Sequence, residues 1–204
     1  NVTPQATEFA LTRARETALD HYTKEIRSLR RRLSSSERRV PVSEELRARL
    51  EDYKGRLQVR VTDRVDEPYR QLLTCILFRL QSADEAYSVA AEFLEDLVLM
   101  RDSLGVHHGA RLAHIWLRPL IEKVRTFGLH FHRVDVRQHA RVHARAVDAL
   151  RSGADSTDEA KTLLDSLRKL AELQRQFGDE AFGSYIVSGA SRAEDILSLV
   201  WLSE

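Results

Sequence analysis

Along most of the chain, apolar residues recur at three- and four-residue steps, the spacing that puts them on one face of an α-helix. Thr3-Pro4 supplies a cap and a first-turn proline, and Phe9, Ala10, Ala14, Ala18, Tyr22, Ile26, Leu29 and Leu33 then form an amphipathic stripe. Ser34, Ser35, Ser36 and Val40-Pro41 read as a polar loop, after which Ser43-Glu44-Glu45 caps a helix carrying Leu46, Leu50 and Tyr53 and fading near Gly55. Pro68 opens a helix that is apolar around more than half its circumference, with Tyr69, Leu72, Leu73, Ile76, Leu77 and Leu80. A fourth helix is expected from about Ser82 to Ser103, stopped by Gly105. A fifth runs from Gly109 to Arg125 with Pro119 inside it, so a kink or break is expected just before the proline. Helical periodicity returns over His139–Leu150, Asp155–Phe177 and a last segment from Ser191, where Glu194 completes a capping box.

Two stretches break this pattern. Thr126 to Gln138 reads TFGLHFHRVDVRQ, in which Leu129, Phe131, Val134 and Val136 give an apolar, β-branched run bounded by Gly128. Ser184-Tyr185-Ile186-Val187-Ser188 is a second short β-type run ended by Gly189. Helices lie between the two, so the strands can lie parallel in one sheet. Two strands do not make a stable sheet by themselves, and these look like pieces of a larger arrangement. The expected fold is mainly α: about seven helices and two short strands, treated as one mostly helical region over residues 1–204.

Composition narrows the classes. Apolar residues make up 43% of the 204 and charged residues 31%, so a packed core is available and wholesale disorder is excluded. With 32 basic and 31 acidic side chains the net charge is +1, so nucleic acid or an anionic membrane would have to be held by a local patch. A single cysteine, Cys75, cannot pair within the chain and points to a reducing compartment. No apolar run approaches the ~20 residues that span a bilayer, and no signal-peptide pattern opens the chain. A cytoplasmic protein with no membrane partner is expected. The chain begins at Asn1 without methionine, as expected of a piece of something longer.

The candidate chemistry is concentrated in the first strand. Asp135 and Arg137 are two residues apart, which in a strand puts the carboxylate and the guanidinium on one face. Unpaired burial of either costs several kcal/mol, so they should pair or face a polar cavity. A purely structural ion pair accounts for the same spacing. The histidines raise the question of a metal: His139 and His143 are four apart, His130 and His132 two apart, and His107-His108 adjacent. No cysteine joins them and no glutamate follows His139 in the zinc-enzyme pattern, so no metal ligands are assigned. Arg27, Arg30, Arg31, Arg32, Arg38 and Arg39 form a basic run without interleaved aromatics. A solvated helix end explains it better than nucleic-acid contact. Cys75 lies among apolar residues with no basic neighbour to lower its pKa, which suits a core residue. Nucleophilic triads and glycine-rich phosphate loops do not occur.

The segment Phe127-Gly128-Leu129-His130-Phe131-His132-Arg133-Val134-Asp135-Val136-Arg137-Gln138 resembles the FG…(L/I)DIRQ segment of phosphoenolpyruvate carboxylases. Three more places agree in order. Asn1-Val2-Thr3-Pro4 resembles the end of the family's GGDRDGNPNVTP segment, Glu67-Pro68-Tyr69-Arg70 its EPYR helix start, and Tyr185-Ile186-Val187-Ser188 with Asp195-Ile196-Leu197 its YVISM…SDVL block.

The resemblance implies an excised central part of a larger helical enzyme built around a (β/α)8 barrel, with the two strands here as barrel strands. It implies a parent that carboxylates phosphoenolpyruvate with bicarbonate to oxaloacetate and phosphate, a carbon–carbon lyase using Mg2+ or Mn2+, homo-oligomeric, with no ion expected on this piece. Arg137 matches the arginine of DIRQ, a substrate-site residue in that family, and Asp135 and Gln138 are the neighbours expected to support it. The family's TAHPTE histidine, metal-binding carboxylates, lysine-bearing loop and GRGG loop have no match here, which implies that these 204 residues alone do not carboxylate. Ala140 stands where the family usually has serine, Gly189 replaces a methionine, and Ser34 to Asp66 has no clear counterpart. Another class of function, a non-catalytic helical module binding a protein partner through its amphipathic faces, fits the same periodicity.

Overall fold

Thr3 accepts the Ala6 amide proton on its hydroxyl at 3.2 Å, and Pro4 then opens helix α1 (Pro4–Arg32) in this computed structural model. The structure describes residues 3–33, 41–57, 59, 61, 66–152 and 158–203, so the polar loop expected over Ser34–Val40 lies outside the described residues. The buried face of α1 is Thr7, Leu11, Ala14, Ala18, Tyr22, Ile26 and Leu29, continued by Leu33. Phe9, which the stripe was expected to include, is 72% exposed, because it sits two residues out of step with Leu11. Contacts divide the chain into two compact units, one of residues 14–131 and one of residues 1–13 with 132–204.

Every regular element described in the 14–131 unit is helical. Helix α2 (Glu44–Arg56) starts where Ser43 accepts the Leu46 amide, α3 (Pro68–Gln81) starts on its proline, and α4 (Ala90–Val106) follows. A short α5 (Ala110–Leu112) passes through a π-helical turn (Ala113–Leu117) into α6 (Arg118–Phe127). The core takes Tyr22 and Ile26 from α1, Leu46 and Tyr53 from α2, Leu72 and Ile76 from α3, Phe93 and Leu97 from α4, and Leu120 and Val124 from α6. Cys75 is fully buried there.

Three local departures from the sequence pattern have physical causes. The helix expected from Ser82 begins only at Ala90. Arginines hold the intervening backbone open: Arg79 donates to the Glu85 carbonyl at 3.2 Å and Arg15 to the Tyr87 carbonyl at 2.8 Å. Gly105 does not stop α4, which runs to Val106 and ends at His107, followed by His108 at φ 64°. Before Pro119 the helix widens to a π turn, with the Arg118 amide bonding the Ala113 carbonyl. Proline cannot donate to the carbonyl four residues back, and the wider turn accommodates that loss.

One polar cluster ties this unit together. Asp96 of α4 is fully buried; its Oδ2 accepts the Tyr53 and Tyr87 hydroxyls, each at 2.6 Å, and its Oδ1 accepts Arg49 Nη1 at 2.6 Å. Arg79 donates to the Tyr53 hydroxyl at 2.9 Å and to Glu92 at 2.7 Å, with its guanidinium 3.9 Å from the centre of the Tyr87 ring. Burial pushes the Asp96 carboxyl up, while the two tyrosines and two arginines pull it back toward ionisation. Burial and the Asp96 charge lift the Tyr87 hydroxyl well above its ordinary range.

In the second unit, β1 (Val134–His139) pairs in parallel with β2 (Phe182–Ser188). Helices α7 (Ala140–Arg151) and α8 (Asp158–Phe177) form the crossover, a 3-10 turn (Asp179–Ala181) leads into β2, and α9 (Ala193–Ser203) follows it. Leu11, Leu173, Phe177 and Ala181 make one small core with Val134 and Phe182, while Ala146, Ala160 and Leu163 make another. The expected strand is shorter at its start than its apolar alternation suggests. Gly128 at φ 54° and Phe131 at φ 61° form a turn, and the Phe131 ring packs on His21, Tyr22 and Phe127. Leu129 and Phe131 alternate like strand residues and serve the helical core. At α9, Asp195 rather than Glu194 closes the start: it accepts the Ser191 and Arg192 amides at 2.8 and 3.0 Å. No described helix is long and apolar enough to cross a membrane.

Replacing Asp96 by alanine leaves two buried tyrosine hydroxyls and the half-buried Arg49 without their acceptor. The expected cost is about 3–5 kcal/mol, read as a lower midpoint of denaturant unfolding; a midpoint shift under ~1 kcal/mol would show that the cluster is not what holds these helices.

Candidate functional site

The parallel pairing breaks once. Val134 pairs with Phe182 and Val136 with Tyr185, so one residue of β1 faces two of β2, a bulge that leaves a backbone group without its ladder partner. Asp135 fills that gap: its Oδ1 accepts the Ser184 amide proton at 2.7 Å. The fit depends on Gly183, because a Cβ there would overlap Asp135 Oδ1. The sequence pattern pointed to Asp135 as a partner of Arg137; the structure gives its carboxylate to the β2 backbone instead, and Arg137 makes no hydrogen bond or ion pair among the described residues.

Asp135, Arg137 and His139 alternate as the exposed positions of β1, while Val134, Val136 and Gln138 are half-buried. Arg137 pairs in register with Ile186, also exposed. The guanidinium therefore projects from an open sheet face with its backbone held in the ladder. Gln138 folds back locally, its Oε1 accepting the His139 amide at 2.9 Å, so it supports the strand end. With Val136, Tyr185, Thr7 and Leu163, the two residues line a small cleft. A larger apolar cleft of about 660 Å3 lies beside it, between the sheet and α8.

The histidines separate into distinct jobs. His139 caps α7, its Nδ1 accepting the Arg141 amide at 3.2 Å. Its ring also lies so close to Gly189, at φ 70°, that no Cβ fits there. His143 is fully buried, with Nε2 at 2.9 Å from the Tyr185 hydroxyl oxygen. Burial holds its imidazole below the ordinary value of 6.5. The two histidines four apart thus serve as a helix cap and a core contact. Among the described residues no group of three or more His, Cys, Asp or Glu is placed to hold a metal ion. In the basic run, Arg30 donates to Thr74 at 2.9 Å and Arg32 lies 4.0 Å over the Trp116 ring; Arg38 and Arg39 are outside the described residues.

Sequence reading singled out Asp135, Arg137 and Gln138, took Ser184 and Tyr185 only as strand residues and His143 only in a metal question, and passed over Gly183. A one-residue mismatch between strands about 50 apart leaves no local trace. The Gly-Ser pair opening the second β run was its only visible sign.

Substituting Gly183 by alanine is expected to displace the Asp135 carboxylate and cost about 1–3 kcal/mol through the orphaned Ser184 amide; the same change should cost less when Asp135 is already alanine. Equal costs in both backgrounds would remove Asp135 from the bulge. Neutral His143 predicts a pH effect with a definite sign. The folded form holds its proton less tightly than the unfolded one, so stability is complete above 6.5 and declines as pH falls below it. Denaturant midpoints at pH 7.5 and 5.5 measure that slope, and His143→Gln should flatten it.

A family model described as phosphoenolpyruvate carboxylase matches residues 1–157 and 150–204. The phosphoenolpyruvate carboxylase of Xanthomonas euvesicatoria is 36% identical over 237 residues, covering all of this chain and 26% of that protein. That of Chromobacterium violaceum is 30% identical over 248 residues, covering 99% and 27%, and that of Nitrosomonas europaea 28% identical over 251, covering 98% and 26%. The chain therefore spans about a quarter of the length of these relatives. The aligned stretches are longer than the chain's own 204 residues, and the two matched stretches meet between the end of α7 and the start of α8. Strand residues around Arg137, the crossover helices and β2 all fall within the match, and the chain belongs to the phosphoenolpyruvate carboxylase family.

Proposed function

We propose that the protein carrying this chain carboxylates phosphoenolpyruvate with bicarbonate, yielding oxaloacetate and phosphate, and that Arg137 grips the anionic substrate. The supporting observation is an exposed guanidinium on a strand whose backbone is paired with β2, with no carboxylate taking its charge among the described residues. A guanidinium stays ionised and offers a planar fork that matches phosphate or carboxylate oxygens. Placed at the reacting group, it offsets charge developing as bicarbonate attacks phosphorus and the enolate forms. Asp135 contributes by holding the bulge, which sets the rung from which Arg137 projects, and Gln138 by fixing the strand end.

The divalent ion of this chemistry, Mg2+ or Mn2+, would supply further charge at the phosphate. Among the described residues no group of three or more His, Cys, Asp or Glu is placed to hold it, and no step is assigned to it here. A cytoplasmic homo-oligomer acting in oxaloacetate supply is the setting that suits this activity.

Arg137→Ala in the full-length protein is expected to lower kcat/KM for phosphoenolpyruvate ~10²-fold or more, with Arg137→Lys recovering only part, because an ammonium cannot make the two-pronged contact. Kinetics unchanged by the alanine substitution would take Arg137 out of the site.

A further inference from the structure

His143 is a buried titratable side chain that the proposed chemistry leaves unused. It lies one helical turn into α7, fully buried, with Nε2 at 2.9 Å from the Tyr185 hydroxyl oxygen and its ring 5.7 Å from the tyrosine ring. Its Nδ1 is buried without a hydrogen-bond partner. An imidazole kept in such a place, with half its polar capacity unmet, has one polar contact to justify it.

The position of that contact gives it consequence. Tyr185 pairs in register with Val136, the residue immediately before Arg137, on the rung next to Arg137–Ile186. The chain leaves Arg137, passes Gln138 and His139, and enters α7. At the corner, Gln138 and His139 still pair with Val187 and Ser188 of β2, the Ser188 hydroxyl donates to the Gln138 carbonyl at 3.3 Å, and the Arg141 amide donates to His139 Nδ1 to cap α7. The His143–Tyr185 contact adds a tie from within α7, joining the helix that follows the arginine to the strand that pairs with it. A closed loop results: β1, corner, α7, His143, Tyr185 and back across one rung to β1.

We propose that His143 is a positioning residue for Arg137, closing the β1–α7 corner onto β2 through the Tyr185 hydroxyl and so fixing the rung from which the guanidinium projects. Neither side chain needs to touch substrate for this. Tyr185 and Arg137 occupy successive rungs, so their side chains leave opposite faces of the sheet, and the effect passes through the backbone. The inference rests on Arg137 being the substrate-gripping residue.

The test is a mutant cycle in the full-length protein, with phosphoenolpyruvate kinetics as readout. Tyr185→Phe keeps the ring and removes the hydroxyl; it should raise KM about five- to tenfold with a smaller change in kcat, and His143→Ala should do the same. His143→Gln keeps a polar partner for the hydroxyl and should lie within about twofold of the parent. In an Arg137→Ala background Tyr185→Phe should change nothing further, since its effect acts through the missing guanidinium. An equal loss in both backgrounds would reduce His143 and Tyr185 to general stability and overturn the inference. So would a Tyr185→Phe enzyme with parental KM while Arg137→Ala is impaired. An Arg137→Ala enzyme with parental kinetics is a separate result, which sinks the substrate reading and this inference with it.

Discussion

The hydrogen bond from the Ser184 amide to the Asp135 carboxylate secures the one place where two parallel strands fall out of step. Parallel strands cannot be joined by a tight turn, and a pair of them has little stability without helices packed against it. Here α7 and α8 supply the crossover, and Asp135 supplies the acceptor that the bulge would otherwise lack. Gly183 makes room for that carboxylate. Arg137 inherits its outward direction from this arrangement, two residues beyond Asp135 on the same face.

The two units treat charge in opposite ways. In the 14–131 unit, Asp96 and Arg79 are buried and every strong donor around them finds an acceptor, as the cost of an unpaired buried charge demands. Those side chains are committed to joining α2, α3 and α4. In the other unit the charges of β1 sit on an open face. Asp135 is committed to backbone, and the arginine beside it is left available. The same chemical groups are thus structural in one unit and a candidate binding element in the other, and burial is what separates them.

The chain belongs to the phosphoenolpyruvate carboxylase family. The matched stretches of family and chain meet between α7 and α8, inside the crossover on which the strand pairing depends. The corner contact between His143 and Tyr185 lies upstream of that junction on the helix side and downstream of it on the strand side, bracing the pairing from within described elements.

The helices and the two strands were legible in the residues themselves, and the candidate arginine in the resemblance of its segment to a family motif. A three- and four-residue apolar period, a proline or serine at a helix start, and alternating valines are local signals, and local physics is enough to read them. Tertiary structure decided the rest. Leu129 and Phe131 alternate as a strand would, yet a left-handed turn sends them into a helical core that only long-range packing creates. Ser82 to Val89 looks helical until arginines from elsewhere take its carbonyls. Asp135 stands two residues from a guanidinium, and its nearest claim in sequence is that arginine; the partner it takes is an amide 49 residues away. Spacing along a chain specifies which face a side chain occupies, whereas which group meets it there depends on segments the crossover brings alongside.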